Sequence, residues 1–268
     1  MTTTKLTWLI TGCSSGFGFS LARAAQAGGH RVIATSRDPS RPPDLVTDFE
    51  SAGGTWVQLD VDSRNSGEII TELERRGDPI DVLVNNAGYC VYAPIETFAE
   101  EEVRAQMEAI YFGPLRLIRA VLPHMRQRKS GVIVNMSSGA SLDGTPSHGS
   151  VRGRKGGIGW YVLAEVAPFN IRTLTVFFLL GDYNGTVVEQ VQRLLIDGKP
   201  KPNGDKDKAM QALYEVVVGE GVGKGHQNEK LLPLGSDMSP RVTGVQDYLG
   251  HALEVFGSVI NSVGADGE

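Results

Sequence analysis

The chain is poor in cysteine: its 268 residues hold two, Cys13 and Cys90. Two cysteines build no disulfide framework, and the expectation is reduced thiols in a cytosolic, cytoplasmic protein. Positive charge is not in excess either. Lys and Arg number 26 against 31 Asp and Glu, a formal net charge of −5. With no basic face, the composition argues against a nucleic-acid or anionic-membrane partner. The short run Arg126, Arg128, Lys129 falls at a helix end, where cations complement the dipole. No apolar run approaches the roughly 18 to 20 residues of a membrane span, and the chain enters its first strand with no signal-peptide pattern before it. The five histidines are scattered. No His-x-x-x-His or Cys-x-x-Cys occurs, so no metal site is expected.

What is present is an ordinary globular mix, 41% hydrophobic and 21% charged, in a length that suits one α/β domain. The stretch around which the chain is arranged is Leu9-Ile10-Thr11-Gly12-Cys13-Ser14-Ser15-Gly16-Phe17-Gly18. An apolar segment from Leu6 to Ile10 precedes it. A helical pattern, Phe19, Leu21, Ala22 and Ala25, follows and stops at Gly28-Gly29. This reads as strand, glycine turn, helix. Gly12 lets the chain turn tightly out of the strand. Gly16 and Gly18 remove side chains where a pyrophosphate and the strand must approach the helix start. The free N–H groups and the positive end of the helix dipole then face the phosphates.

Further along, strands are predicted at 31–35, 55–59, 80–84, 131–136 and 171–178. The segment Pro39 to Pro43 reads as a loop. Helices are predicted at 66–76, 100–126 and 151–166, the second kinked at Gly113-Pro114. The tail from Lys201 carries two more helices around a short strand at Leu231 to Leu234. Alternation of this kind means a parallel sheet with helices on both faces: a single doubly wound α/β domain of Rossmann type. The whole chain, 1–268, reads as that one domain, with 179–268 as its substrate-side loop and C-terminal helices. The apolar stripe over 103–125 permits pairing of two copies.

Taken together, Thr11, Gly12, Gly16 and Gly18, then Asp60, then Asn85-Asn86-Ala87-Gly88, then Ser138 and Lys155 resemble the short-chain dehydrogenase/reductase family over nearly the whole chain. The resemblance implies a dinucleotide held by Gly12, Ser14, Ser15, Gly16 and Gly18 at the pyrophosphate. It implies Asp60 at the adenine edge, Asn86, Ala87 and Gly88 along the adenosine half, and Lys155 at the nicotinamide ribose. Arg37, just past the second strand, looks like the NADP-preferring type, because a guanidinium pairs with a 2′-phosphate. Asp38 stands one position later and counts against it. The expected cofactor is therefore NADP(H), bound with or without turnover, or lost. The tail phrase Leu234-Gly235-Ser236-Asp237 looks like one common in fungal members, a pointer to secondary metabolism.

The chain departs from the family on the other side of the pocket. The family places a Tyr four residues before the Lys on one helix face. Lys lowers the Tyr pKa, Tyr transfers the proton, and Ser steadies the substrate oxygen. Here the Tyr position is Val151, which cannot transfer a proton. The family's helix Asn falls at Ile110. The Pro-Gly usual after the sixth strand is replaced by Phe177-Phe178-Leu179-Leu180-Gly181. Candidate catalytic groups are Ser138, Lys155, His148 and Tyr89, the last two as substitute proton donors. Each has a plainer reading: a backbone cap, a ribose contact, a loop histidine and a packing aromatic. The first expectation is a non-redox isomerase, cyclase or dehydratase acting on a small molecule. The alternatives are an NADPH-dependent carbonyl reductase or alcohol dehydrogenase with a substitute donor, and a non-catalytic NADP-binding or scaffold protein, any of them as a possible homo-oligomer.

Overall fold

Runs such as Trp8-Leu9-Ile10 and Val82-Leu83-Val84 are apolar on both faces of a strand, so both faces must be covered. In the computed structural model they are. It describes residues 5–41, 43–89, 98–139, 165–178, 205–236 and 238–262. The strands are β1 (Thr7–Ile10), β2 (Arg31–Ser36), β3 (Thr55–Gln58), β4 (Val82–Asn85), β5 (Gly131–Met136), β6 (Ile171–Phe178) and β7 (Leu231–Leu234). They form one sheet in the order β3-β2-β1-β4-β5-β6-β7. Every pairing is parallel.

Alternate strand residues feed two cores. Trp8, Ile10, Val32, Ala34, Val84 and Val134 pack against helix α1 (Gly16–Ala27), Phe49 of α2 (Pro43–Ser51) and α6 (Lys206–Val218). Leu9, Ile33, Leu83 and Ile133 face the opposite way. They pack against α3 (Glu68–Arg75) and α5 (Gly113–Arg128). Two C-terminal elements thus belong to the body of the fold: β7 extends the sheet and α6 completes a core.

Three sequence readings change. The turn-rich Pro39 to Pro43 is followed at once by α2, a short helix of weak apolar pattern. It is held by the fully buried Phe49, which packs edge-on to Trp56 at 5.6 Å. The long helix is not simply kinked at Gly113-Pro114. It runs as α4 (Glu100–Met107), widens into a π-helical turn over Glu108–Phe112, and resumes as α5. Part of the apolar stripe over 103–125 is also spent within the subunit: Leu117, Ile118, Val121 and Met125 are buried against the sheet, while Val103 and Met107 stay half-buried. The last helix is α7 (Met238–Ser262). The predicted helix at 151–166 lies outside the described residues except for Glu165 and Val166, which are helical.

Candidate cofactor site

In a sheet ordered in this way the connections reverse between β1 and β4, and ligands bind beyond the carboxyl ends of the strands at such a reversal. The loops leaving β1 and β4 meet there and lock together. The Thr11 hydroxyl accepts the N–H groups of Asn86 (3.0 Å) and Ala87 (2.9 Å) and donates to the Val84 carbonyl (3.2 Å). The Asn86 amide donates to the carbonyls of Thr11 (2.8 Å) and Gly12 (3.1 Å). The Asn86 side chain is therefore a brace between the two loops.

The glycine loop is shaped by these contacts. Gly12 has φ +71°, and a Cβ there would stand 2.8 Å from the Ala87 Cα. A Cβ on Gly18 would run into the Gly12 carbonyl and the Asn86 amide. Gly16 has φ +63° and open space around it. Ser15 precedes α1 in an extended conformation without capping it by its side chain, and no acidic residue occupies the first turn. Ser14, Ser15 and Gly16 are exposed at this helix start. Cys13 lies in the same loop, fully buried, its Sγ donating to the Ile10 carbonyl. Burial pushes its thiol up to about 12, so it is not a nucleophile.

A second wall rises past β2 and β3. Arg37 is exposed, and its carbonyl is held by the Gln58 amide at 3.0 Å. Asp38 turns back on its own loop, accepting from the Ser40 N–H (3.1 Å) and hydroxyl (2.6 Å) and pairing with Arg41 at 3.3 Å. The Ser40 bonds hold its carboxyl below the usual range. Asp60 caps the backbone N–H of Asp62 at 3.1 Å. Asp62 Oδ1 is buried with no hydrogen-bond partner. Burial, then the Asp60 charge, raise its carboxyl, while Arg37 pulls it back down. Tyr89 is 43% exposed and within electrostatic reach of Asp62 and Arg37. Burial first and Asp62 second raise its phenol, the opposite of what a proton-donating tyrosine needs.

Of the expected residues, the structure brings together Gly12, Ser14, Ser15, Gly16, Gly18, Asn86 and Ala87 around one loop junction. Arg37 and Asp60 stand on the neighbouring loops after β2 and β3, and Tyr89, past β4, is within electrostatic reach of Arg37 and Asp62. Gly88 joins Ala87 to Tyr89, and Ser138 is half-buried two residues past β5. Ile110 is buried in the π-helical turn. Lys155, His148 and Val151 lie outside the described residues, as do Cys90 and Leu179 to Gly181. Sequence reasoning missed Arg116. It donates to the carbonyls of Val61 (2.9 Å) and Asp62 (3.4 Å) and pairs with Glu108 at 2.7 Å, fixing the loop after β3 to α5. Among the described residues no cluster of metal-ligating side chains occurs, and no helix is long and apolar enough to cross a membrane.

Comparison with known proteins agrees with this geometry. The family model described as short chain dehydrogenase matches residues 7–171. The oxidoreductase claN of Passalora fulva is 37% identical over 174 residues, 63% of this chain and 79% of that protein. A 3-ketodihydrosphingosine reductase of Bacteroides thetaiotaomicron is 38% identical over 186 residues, 66% of this chain but 63% of that protein. A crystal structure of a short-chain dehydrogenase from Streptomyces avermitilis superposes with a TM-score of 0.83 at 30% identity, covering 98% of this chain and all of that one.

Proposed function

The chain belongs to the short-chain dehydrogenase family, and from that premise we propose that it is an NADP(H)-dependent oxidoreductase of a small carbonyl compound. The observation that carries this reading is the junction of the β1 and β4 loops. Thr11 and Asn86 spend their hydrogen bonds on tying the Thr11-Gly12 turn to the loop after β4, and Gly18 lies close against that turn where a side chain would not fit. Similarity to a named oxidoreductase and a named reductase agrees with it.

The residues fit the cofactor one by one. The N–H groups after Ser15 receive the pyrophosphate, and Gly18 lets the helix lie against the Gly12 carbonyl. Arg37 pairs with a 2′-phosphate. Asp38, held by Ser40 and Arg41, is occupied elsewhere and does not oppose that phosphate. The unpartnered Asp62 Oδ1 offers an acceptor beside Asp60 on the adenosine side. NADPH, when bound, supplies a hydride to a carbonyl carbon. Ser138 polarises the substrate oxygen, Lys155 holds the ribose, and the proton comes from His148 or water in place of the missing tyrosine. Tyr89 covers the adenosine side. Within 179–268, the part not spent on α6 and β7 contributes the substrate side, and the fungal-type tail phrase points to a secondary-metabolite-like substrate.

A second reading is favoured by Val151 and Ile110. With valine at the tyrosine position, the pocket performs non-redox chemistry, such as isomerisation, cyclisation or dehydration, around a cofactor that does not turn over. Purified protein incubated with NADPH and a panel of small ketones separates the two. Ketone-dependent loss of absorbance at the reduced-nicotinamide band supports the reductase. Tight NADPH binding, no oxidation with any ketone and substrate rearrangement with NADPH unchanged supports the second.

A further inference from the structure

Asp62 sits at a crowded point beside the glycine junction. Its Oδ1 is buried and has no hydrogen-bond partner. Its backbone is tied down on both sides: the N–H is capped by Asp60 at 3.1 Å, and the carbonyl accepts from Arg116 at 3.4 Å. The groups that face its carboxyl come from every side. Asp60 acts from its own loop, Arg37 from the loop after β2, Glu108 from the π-helical turn, Arg116 from α5 and Tyr89 from the loop after β4. The two cations in this set are unequal. Arg116 is half-buried and committed: it pairs with Glu108 at 2.7 Å and donates to the Val61 carbonyl at 2.9 Å. That ion pair balances itself. Arg37 is exposed, at the mouth of the site. Within this set, then, two carboxylates, Asp60 and Asp62, are left facing the Arg37 guanidinium.

We propose that Asp62 is a specificity residue of this site, one that takes up a proton when the 2′-phosphate of an incoming dinucleotide draws the Arg37 guanidinium to itself. The proposal rests on the NADP(H) reading above. A guanidinium grips a phosphate through charge-assisted bonds, so its charge is no longer available to Asp62. The phosphate also brings negative charge to the same side. A carboxylate that is desolvated, stands beside another carboxylate and has lost its counter-cation is stabilised by neutralisation, and bulk water supplies the proton. The free site is already poised for this: burial and Asp60 raise the Asp62 carboxyl, and Arg37 is the foremost group holding it down. A dinucleotide without the 2′-phosphate leaves Arg37 in place and demands no proton. The sign follows from linkage. The carboxyl is harder to ionise in the complex than in the free chain, so this contribution is complete at low pH and is lost as pH rises through the free value towards the bound one. Each unit between the two costs tenfold in Kd.

Isothermal titration calorimetry of the full chain with NADP+ and with NAD+, from pH 5 to pH 8 and in two buffers of different ionisation enthalpy, reads both Kd and the protons taken up. The comparison is with Asp62→Asn, which keeps the shape of the neutral acid. The 2′-phosphate titrates alike against both proteins and drops out of the ratio of their Kd values. For NADP+ the ratio of wild-type to variant Kd should rise about threefold or more between pH 5 and pH 8, and the wild type should take up more protons per NADP+ bound than the variant. For NAD+ the ratio should stay flat. If Asp62→Asn does not fold, Asp62→Ser takes its place with the same expectation. A flat ratio and equal proton uptake with NADP+ overturn the proposal and leave the cofactor reading standing. A ratio that rises equally with NAD+ also overturns it, because the 2′-phosphate then plays no part. A wild-type chain that binds neither dinucleotide overturns the cofactor reading and this proposal with it.

Discussion

The Thr11 hydroxyl serves two N–H donors and one carbonyl at once. Thr11→Val keeps the shape and strands the Ala87 N–H, while the Asn86 N–H retains the Val84 carbonyl at 3.1 Å, so urea unfolding should show a loss of about 1–3 kcal/mol. Gly18→Ala forces a Cβ against the Gly12 carbonyl and Asn86. It is expected to abolish NADPH binding in titration even where the chain still folds. Arg37→Ala removes a charge-assisted contact and should weaken NADPH by roughly 10- to 100-fold while changing NADH by less than about threefold. Cys13, its thiol pushed up to about 12 by burial, should stay inert to a thiol reagent at pH 8 in the native protein and react only on unfolding. Because the unfolded chain gives up that proton first, stability should fall as pH rises above the ordinary thiol value of 9.0 towards 12.

At the scale of elements, α6 is fastened to the start of the sheet through His30. Its Nδ1 accepts the Leu6 N–H at 3.1 Å, and its Nε2 lies 3.4 Å from the Tyr214 hydroxyl. Burial lowers the His30 pKa from 6.5, with Glu220 pulling the other way. The folded state therefore holds the neutral ring. Stability from this group is complete above pH 6.5 and is lost as pH falls from there through the lowered folded value. Chemical unfolding between pH 7 and 5 should show that slope in the wild type and a flatter one in His30→Asn. The π-helical turn before α5 is another element-scale feature. It brings Gly113 against the Val61 carbonyl, where a Cβ would stand 2.7 Å away, and Arg116 then secures the same loop. Gly113-Pro114 announced a break in the helix. It did not announce a π turn, because that depends on the β3 loop packed beside it.

For the molecule as a whole, the legible part of the sequence was what repeats or turns. β5 and β6 fall at the predicted residues because apolar runs bounded by glycine and asparagine leave little choice. Gly12, Gly16 and Gly18 were readable because only glycine takes those backbone positions. The roles of Asp38 and Arg116 were not, since each is fixed by a partner distant in sequence or by a side chain turning back on its own loop. The 103–125 stripe was visible but ambiguous: an apolar face looks the same whether the sheet or another subunit covers it. The sheet covers Leu117, Ile118, Val121 and Met125 of that stripe.

The central claim is that the adenosine half of the site is built to hold NADP(H), and one titration tests it most directly. Trp56 is a built-in reporter: its Nε1 donates to Ser36 at 3.0 Å, one residue before Arg37. NADPH added to the purified chain should quench tryptophan emission and sensitise nicotinamide emission with a micromolar midpoint, with NADH at least about tenfold weaker. Arg37→Ala should erase the difference. If neither dinucleotide binds at millimolar concentration, the glycine junction serves the fold alone and the account of this protein as an NADP(H)-dependent oxidoreductase is contradicted.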